Sequence, residues 1–417
     1  MKIFKFGGAS VKDADGVRNV FDLLKSVGYQ NTLIVVSAMG KTTNAMEAIV
    51  DHYFNKAGSV SQSIFVVKRQ HIEILNNLFP NNNHEVYGEV KKLFEALDNF
   101  LVHNKSTNFS FVYDQIVSFG ELLSTKIIAH YFIHQGLEME WVDARNCVKT
   151  DAYYRDANLD WETTSKTIKD NISKEKLVIT QGFIGSDENN FTTTLGREGS
   201  DYSAAIFGYA LNAESVTIWK DVPGVLNADP RHFDNTTLLH QISYREAIEL
   251  AYYGASVIHP KTLQPLQRKE IPLYVKSFQN PTAEGTAVMK GKTLIPETPC
   301  FILKKQQVLL RLFSLDFSFI VEDNISAIFA LLHQYQMRVE LVQNSAISFS
   351  VCINNKYGRL EELVTALRAR FRVEVSENVD LYTIRHFNRE AIHRIKNYDR
   401  PILLEQRTQQ TAQFVLN

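Results

Sequence analysis

The sequence is poor in cysteine and carries almost no net charge, and each deficit excludes a class of protein. Its 417 residues include three cysteines, which lie far apart and form no CxxC pair. We therefore expect neither a disulfide framework nor a thiolate zinc site, and we expect a cytoplasmic location. Lys and Arg total 45 against 46 Asp and Glu, a balance that argues against nucleic acid or an anionic membrane as a partner.

Long apolar runs and the common binding fingerprints are also missing. No stretch approaches the roughly 18–20 uninterrupted apolar residues of a membrane span. The segment SAMGKTT (37–43) resembles the end of a Walker A loop, but Val35 stands where that loop needs its first glycine, and no GxGxxG occurs. The 12 histidines show no HExxH or other metal-ligand spacing, so we expect no metal site built from protein ligands alone.

The first 300 residues alternate short apolar runs with helix-like segments. KIFKF (2–6) and TLIVVS (32–37) are typical strands, and apolar residues at helical spacing follow over about 42–135. Strands separated by helices predict a largely parallel sheet covered on both faces. The long helical stretch is an insertion between two strands rather than a minimal crossover.

The remainder of the chain, from about residue 280, has a different order of predicted strands and helices. Pro and Gly punctuate 280–299, which indicates a linker or a peripheral hairpin. From about 305 the pattern follows the order βαββαβ, which is typical of a ferredoxin-like α+β fold. We therefore predict two domains, 1–298 and 299–417.

Glycine-containing turns follow several of the predicted strands. Ligands of open α/β sheets bind beyond the carboxyl ends of the strands, where glycines let backbone N–H groups approach an anion. Lys5 lies two residues before Gly7, and only Phe6 separates it from the Gly7-Gly8 turn. Its ammonium group either extends to solvent, as is usual for a strand lysine, or reaches a transferring phosphoryl group.

The run TTTLGREGSDYSAA (192–205) is the strongest single signal. A strand leads through two glycines into a helix rich in small residues, and Ser200 or Asp201 stands where an N-cap is expected. The run is either a capped helix with an exposed Arg197 or a cradle for anions. In the cradle, Arg197 grips anionic groups while Asp201 orients a lysine or a magnesium ion.

Six motifs taken together resemble aspartate kinases of the amino-acid kinase family, in the order typical of that family. They are KFGGAS (5–10), VVSAMGKTTN (35–44), SFGELLS (118–124), TTLGREGSD (193–201), KDVPGVLNADPR (220–231) and GASVIHPKTL (254–263). The resemblance implies a three-layer α/β/α catalytic domain with a largely parallel sheet, followed by a smaller ferredoxin-like (ACT) regulatory region. It also implies transfer of the γ-phosphoryl group of ATP, with Mg²⁺, to L-aspartate at the start of lysine, threonine and methionine synthesis.

The resemblance also assigns roles residue by residue. Catalytic roles go to Lys5, which contacts the phosphoryl group, and to Asp201, which organises the active-site lysine. The positions that match amino-acid-binding residues are Thr43, Glu121, Arg197 and Ser200. The positions that match nucleotide-binding residues are Gly7, Gly8, Ser10, Asp221 and Arg231.

The chemistry of the substrate agrees with this assignment. Aspartate carries one ammonium and two carboxylates, so its site needs an anion such as Glu121 and a bidentate cation such as Arg197. The acceptor carboxylate, with an ordinary pKa of about 3.9, is already ionised, so no general base is required. The site must instead overcome the repulsion between two anions, by positioning and by charge.

The sequence departs from the family pattern at several positions. Lys220 replaces a small hydroxyl residue, Leu226 an aromatic residue and Ser256 a lysine, which changes the expected nucleotide contacts. In the tail, the final helix and strand of a second ACT unit are not found. Feedback inhibition by lysine or threonine is therefore a hypothesis, and we expect a homodimer or a larger homo-oligomer because ACT sheets commonly pair between chains.

Two alternatives remain open at this point. Another kinase of the same family, acting on glutamate or a nucleoside monophosphate, shares much of the pattern but lacks the ACT-like tail and the SFGELLS segment. A catalytically silent amino-acid-binding regulator is favoured if the departures disable nucleotide binding.

Overall fold

A computed structural model describes residues 1–56, 58–81, 83–173, 175–255, 258–316 and 318–417. The chain divides into two compact units. Unit 1 comprises Met1–Val225, Leu238–Ile248 and Val257–Ile295, and unit 2 comprises Leu226–Thr237, Glu249–Ser256 and Pro296–Asn417. Ser256, one of the departures from the family pattern, lies outside the described residues. The assignment of 1–298 and 299–417 as catalytic and regulatory domains stays a prediction.

The strands of the described residues are numbered along the chain. They are β1 (Lys2–Phe6), β2 (Thr32–Val36), β3 (Met139–Val142), β4 (Leu177–Gln181), β5 (Ile184–Ser186), β6 (Thr192–Thr194), β7 (Ser215–Lys220), β8 (Gln241–Ser243), β9 (Leu273–Ser277), β10 (Thr286–Met289), β11 (Cys300–Ser314), β12 (Arg338–Asn344), β13 (Ser348–Asn354), β14 (Phe371–Arg385), β15 (Ile402–Arg407) and β16 (Thr411–Leu416).

The helices are numbered in the same way. They are α1 (Ala14–Val27), α2 (Thr42–Asn55), α3 (Val60–Leu78), α4 (Val86–His103), α5 (Phe109–Val117), α6 (Phe119–His134), α7 (Ala144–Cys147), α8 (Trp161–Asn171), α9 (Gly199–Leu211), α10 (Tyr244–Tyr253), α11 (Pro260–Lys269), α12 (Glu322–Gln334), α13 (Leu360–Arg368) and α14 (Arg389–Lys396).

The main sheet of unit 1 has eight strands in the order β3-β4-β2-β1-β7-β9-β10-β8. The strands from β3 to β9 in this order pair in parallel. Every residue of β2 and β4 is buried, as expected for central strands with helices on both faces. The predicted fold class is confirmed: a largely parallel α/β sheet with a smaller α+β region.

The Pro- and Gly-rich segment 280–299 contributes a strand to the main sheet. Within it, β10 pairs antiparallel with β9 and parallel with β8. A hairpin, β9–β10, is therefore observed rather than a linker, but β10 lies within the sheet between β9 and β8 and not at its periphery. The short strands β5 and β6 form a separate antiparallel ribbon that is not part of the main sheet.

The predicted helical insertion is observed as α2 to α6. Within it, the run Phe109–His134 is long and apolar enough to span a membrane by composition, but 78% of its most apolar window is buried inside the protein. In α6, buried residues occur on all sides, which is typical of a core helix. This helix therefore forms part of the core of unit 1.

Unit 2 contains a six-stranded sheet in the order β12-β13-β11-β14-β16-β15. The two 15-residue strands β11 and β14 run through its centre, and each has a register shift or bend near its middle. One part combines the predicted βαββαβ elements, with α12 and α13 over one apolar core. The other part packs α14 and β16 around a second core.

Candidate active site

Four neighbouring strands of the main sheet end at the same edge. In the order β4-β2-β1-β7, Gln181 is level with Val36, and Phe6 is level with both Val36 and Trp219. The next residues are therefore brought together, and the ladder extends through the bond from the Ser37 N–H to the Phe6 carbonyl, 3.1 Å. This edge is where an open α/β sheet binds its ligand.

A buried carboxylate at this edge binds two lysines. Lys5 Nζ lies 2.6 Å from Asp201 Oδ1, and Lys220 Nζ lies 3.3 Å from Asp201 Oδ2. The side chains of Lys5 and Asp201 are 10% and 4% exposed. Burial alone would raise the pKa of Asp201, but the two ammonium groups hold that pKa below its ordinary value. Asp201 is thus ionised at neutral pH and forms ion pairs with both lysines.

Helix α9 begins earlier than the sequence suggested. Its N-cap is Glu198, which has φ 54° and makes no side-chain capping bond, so the prediction of Ser200 or Asp201 as the N-cap is wrong. The turn closes instead through backbone bonds, with the Asp201 N–H donating to the Glu198 carbonyl at 3.0 Å. Asp201 therefore lies in the first turn, where its carboxylate binds the lysines rather than capping the helix.

The turn after β1 packs closely against the turn after β2. A Cβ on Gly8 would lie 2.7 Å from the Ala38 carbonyl oxygen and 2.8 Å from that of Gly40, so only glycine fits there. A Cβ on Gly7 would lie 3.4 Å from Lys5 Nζ, which places this backbone beside the ammonium group. The Ser10 hydroxyl is buried and has no hydrogen-bond partner within the part of the chain that is described.

Glu121 lies in the first turn of α6 and is 2% exposed. The Ala38 N–H donates to its Oε1 at 3.4 Å, whereas Oε2 is buried with no partner among the described residues. Burial raises the pKa of Glu121 to about 8. A buried carboxylate oxygen without a donor is suited to bind a ligand cation.

These groups line one cleft of about 320 Å³ in unit 1. Its lining residues are Lys5, Ser37, Thr43, Glu121, Phe183, Gly196, Glu198, Gly199, Ser200, Asp201 and Lys220. The structure therefore brings together five of the predicted site residues: Lys5, Thr43, Glu121, Ser200 and Asp201. The cleft therefore has two lysine ammonium groups beside Asp201, and at Glu121 it has a carboxylate with one oxygen that accepts no hydrogen bond from any residue in the described ranges.

Other predicted site residues are not among those that line the cleft. Arg197 is exposed, although its neighbours Gly196 and Glu198 both line the cleft. Asp221 is exposed directly after β7. Arg231 belongs to unit 2, where its guanidinium binds the Asp229 carboxylate at 2.6 Å. Their roles, like those of Gly7, Gly8 and Ser10, stay predictions.

Sequence reasoning missed four lining residues. The sequence motifs give Lys220 only as a departure from the family pattern and Ser37 only as part of the segment SAMGKTT (37–43), and they assign no role to Glu198 or Phe183. Ser37 and Lys220 had a usable signal, because each stands at the carboxyl end of a strand of the main sheet. Phe183 had no such signal in the sequence. Its backbone has a positive φ of 72°, which is imposed by the fold and not indicated by any local pattern.

His259, by contrast, has a structural role. Its Nδ1 accepts the Lys261 N–H at 3.1 Å and caps α11. Among the described residues, no group of three or more His, Cys, Asp or Glu side chains is arranged to hold a metal ion.

Comparison with known proteins adds a family assignment to this geometry. The sequence model of the amino acid kinase family matches residues 1–277. The chain is 32% identical over 397 residues to lysine-sensitive aspartokinase 3 of Escherichia coli, covering 92% of this chain and 86% of that protein. It also spans 32% of the length of a bifunctional chloroplastic aspartokinase/homoserine dehydrogenase of Arabidopsis thaliana, with 32% identity over the aligned 297 residues.

Two solved structures of E. coli aspartokinase III are similar over the full length. The complex with lysine and aspartate (T-state) has a TM-score of 0.82 and 29% identity, and it is covered to 95%. The complex with aspartate and ADP (R-state) has a TM-score of 0.81 and 28% identity, with 96% of it covered. In both comparisons 100% of this chain is covered.

Proposed function

The chain belongs to the amino acid kinase family, and from this premise we propose that it is an ATP-dependent aspartate kinase. It transfers the γ-phosphoryl group of ATP to the side-chain carboxylate of L-aspartate and forms 4-phospho-L-aspartate, the first step of lysine, threonine and methionine synthesis. The observation that carries the proposal is that Glu121, with one oxygen without a partner among the described residues, lines the same cleft as the Lys5–Asp201 pair.

Different residues of the cleft bind the two reactants, the amino-acid acceptor and the phosphoryl donor. Glu121 binds the ammonium group of aspartate, while Thr43 and Ser200 supply hydroxyl groups for its carboxylates. Arg197 completes the amino-acid site when the loop 196–198 places its guanidinium over a carboxylate, as a bidentate pair. Lys5 contacts the γ-phosphoryl group, and Asp201 holds its ammonium in place.

The reaction needs no proton transfer to the nucleophile. The aspartate side chain, ionised at neutral pH, forms a bond to the γ-phosphorus while the bond from that phosphorus to the bridging oxygen of ADP breaks. The leaving electron pair stays on ADP. Lys5 lowers the barrier by offsetting the repulsion between the two anions as they meet.

Residues at the strand-end edge would hold the nucleotide and its metal ion. The turn of Gly7, Gly8 and Ser10 offers backbone N–H groups and a buried hydroxyl to the phosphates, and Asp221 is assigned to the rest of the nucleotide. Arg231 lies in unit 2, and its nucleotide-binding role stays a prediction from the resemblance. Mg²⁺ bound mainly by phosphates needs only one or two protein carboxylates. Glu198 fits this need, because it lines the cleft and its Oε2 is buried with no partner in the described ranges. When bound, Mg²⁺ supplies neutralisation of phosphate charge.

Release of ADP tests the proposed function. We expect turnover with L-aspartate, and only background release with L-glutamate or with no acceptor, in an assay coupled to ADP. Turnover with glutamate alone would assign the chain to another kinase of the family. No turnover with any acceptor would favour a silent amino-acid-binding regulator.

The pH dependence of aspartate binding tests the role of Glu121. Because burial raises the pKa of Glu121 to about 8, the free site is largely protonated below that pH, and a neutral carboxyl cannot pair with an ammonium. We expect KM for L-aspartate to fall about tenfold per unit as pH rises towards 8 and then to level off. Steady-state kinetics at saturating ATP between about pH 6 and 8.5 measure this slope.

Glu121→Gln provides the matched control, because it keeps the shape but cannot ionise. Its KM should be raised about tenfold or more at pH 8 and should lose the slope. A slope in Glu121→Gln equal to that of the unsubstituted protein would show that another group titrates.

We also propose a regulatory and an assembly property. Lysine is the effector to test first, because the chain resembles a lysine-sensitive aspartokinase over 92% of its length, and threonine is the alternative. The sheet of unit 2 ends in the edge strands β12 and β15, which suits pairing between chains in a homodimer or larger homo-oligomer. Isothermal titration without heat from either amino acid, or a monomeric mass in light scattering, would contradict the respective proposal.

A cytoplasmic location is part of the same proposal. The three cysteines, Cys147, Cys300 and Cys352, are all buried as free thiols. Free thiols are typical of a reducing compartment.

A further inference from the structure

Two lysines, rather than one, converge on the buried carboxylate of the cleft. Lys5 binds one oxygen of Asp201 and Lys220 binds the other, at 2.6 Å and 3.3 Å. Both lysines line the cleft, and their side chains are 10% and 22% exposed. Asp201 therefore positions two ammonium groups at the same cavity.

The fold explains why Lys220 reaches this position. It is the last residue of β7, which pairs in parallel with β1 so that Ile218 is level with Lys5. A lysine at 220 therefore starts beyond the end of β1, and its long side chain returns to Asp201. The small hydroxyl residue that the resemblance leads us to expect at this position has no side chain of that reach.

The charges of the cluster favour an anion. Two ammonium groups and one carboxylate sum to +1, and Asp201 stays ionised because the lysines hold its pKa below the ordinary value. An anion that enters the cleft meets two cations whose positions are already determined, so little reorganisation is needed when charge develops. Lys220 is more exposed than Lys5, so solvent screens its contribution more strongly.

We propose that Lys220 is a second catalytic cation, which contacts the γ-phosphoryl group together with Lys5. This inference rests on the proposed function for the nature of the phosphoryl acceptor. The aspartate oxygen forms its bond to phosphorus, the bond to the bridging oxygen breaks, and ADP leaves with the electron pair. Lys220 gives up no proton and forms no covalent bond in this step; it stabilises the negative charge of the transferring group.

Lys220→Met tests the inference by comparing two nucleotides that differ in the third phosphoryl group. We expect kcat to fall about tenfold. We also expect affinity for AMP-PNP, measured by isothermal titration calorimetry, to fall about tenfold while affinity for ADP changes less than twofold. Lys220→Arg should recover most of the AMP-PNP affinity, because it keeps the charge.

The control is Lys2→Met, which removes an exposed lysine from the opposite end of β1 and should change neither affinity. Equal weakening of ADP and AMP-PNP in Lys220→Met, or no weakening of either, would overturn the inference. If Lys220→Met fails to fold, the Lys220→Arg and Lys220→Gln variants decide it by the same comparison. Absence of aspartate-dependent turnover in the unsubstituted protein would overturn the proposed function, whereas the nucleotide comparison would still decide the contact made by Lys220.

Discussion

Lys5→Met should lower kcat about 10³-fold, the upper end of the effect of removing one group that stabilises developing charge. Lys5 is buried, with its side chain 10% exposed, and its ammonium group lies beside Gly7 at the end of a central strand. Water therefore cannot replace its ammonium group efficiently when aspartate and the phosphoryl group approach each other. The loss corresponds to about 4 kcal/mol of transition-state stabilisation.

The measurement is kcat at saturating ATP and aspartate, with Lys2→Met as the control on the same strand. Methionine keeps most of the length and apolar volume of lysine, so circular dichroism and the thermal midpoint should stay close to those of the unsubstituted protein. Turnover of Lys5→Met within tenfold of the unsubstituted protein would remove Lys5 from the reaction.

Asp201→Asn should lower kcat about 10²-fold without weakening AMP-PNP binding. The substitution keeps the shape of the side chain but removes the negative charge that both lysines contact. The two ammonium groups still attract the phosphates, and they do so without a competing carboxylate. They are no longer held in place, however, so the loss appears in kcat rather than in affinity.

Comparison of the effects on kcat and on AMP-PNP affinity distinguishes a positioning role of Asp201 from a purely structural role. A purely structural role for Asp201 predicts that both quantities decline together, because the cleft would lose its shape. A parallel loss of kcat and AMP-PNP affinity in Asp201→Asn would therefore contradict the positioning role.

Much of this site could be predicted because its residues lie next to strand ends and glycine-rich turns that can be recognised in the sequence. Lys5 is the penultimate residue of an apolar strand that leads into a Gly-Gly turn, and Asp201 stands in the first turn of a helix that follows a glycine-rich segment. The parallel order of the strands then brings their carboxyl ends to one edge. Residues that follow strands are thus placed together by topology, even when about 200 residues separate them in sequence.

Other features depended on packing that no local pattern reports. The closeness of Lys220 to Asp201 depends on a long side chain that extends from the end of β7 to the first turn of α9. The start of α9 at Gly199 depends on a left-handed backbone at Glu198, a conformation that non-glycine residues seldom adopt and that sequence did not indicate. The pKa of Glu121 follows from its burial between α6 and the turn after β2.

The position of the Arg197 side chain could not be predicted from its motif. Its neighbours in the sequence line the cleft, yet its own side chain is exposed. A charged side chain on a turn has many available rotamers, and the ligand carboxylate that would select one of them is part of the substrate, not of the chain. The motif therefore predicts which loop Arg197 occupies but not where its guanidinium lies.

We propose above all that one cleft catalyses transfer of a phosphoryl group to the side-chain carboxylate of L-aspartate. Trapping the acyl phosphate product tests this most directly. Purified protein is incubated with ATP, Mg²⁺, L-aspartate and hydroxylamine, which converts an acyl phosphate to a hydroxamate. We predict that aspartyl hydroxamate accumulates in step with ADP and that Lys5→Met lowers the rates of both by the same factor, about 10³. Release of ADP that does not require aspartate, or that yields no hydroxamate, would contradict the account.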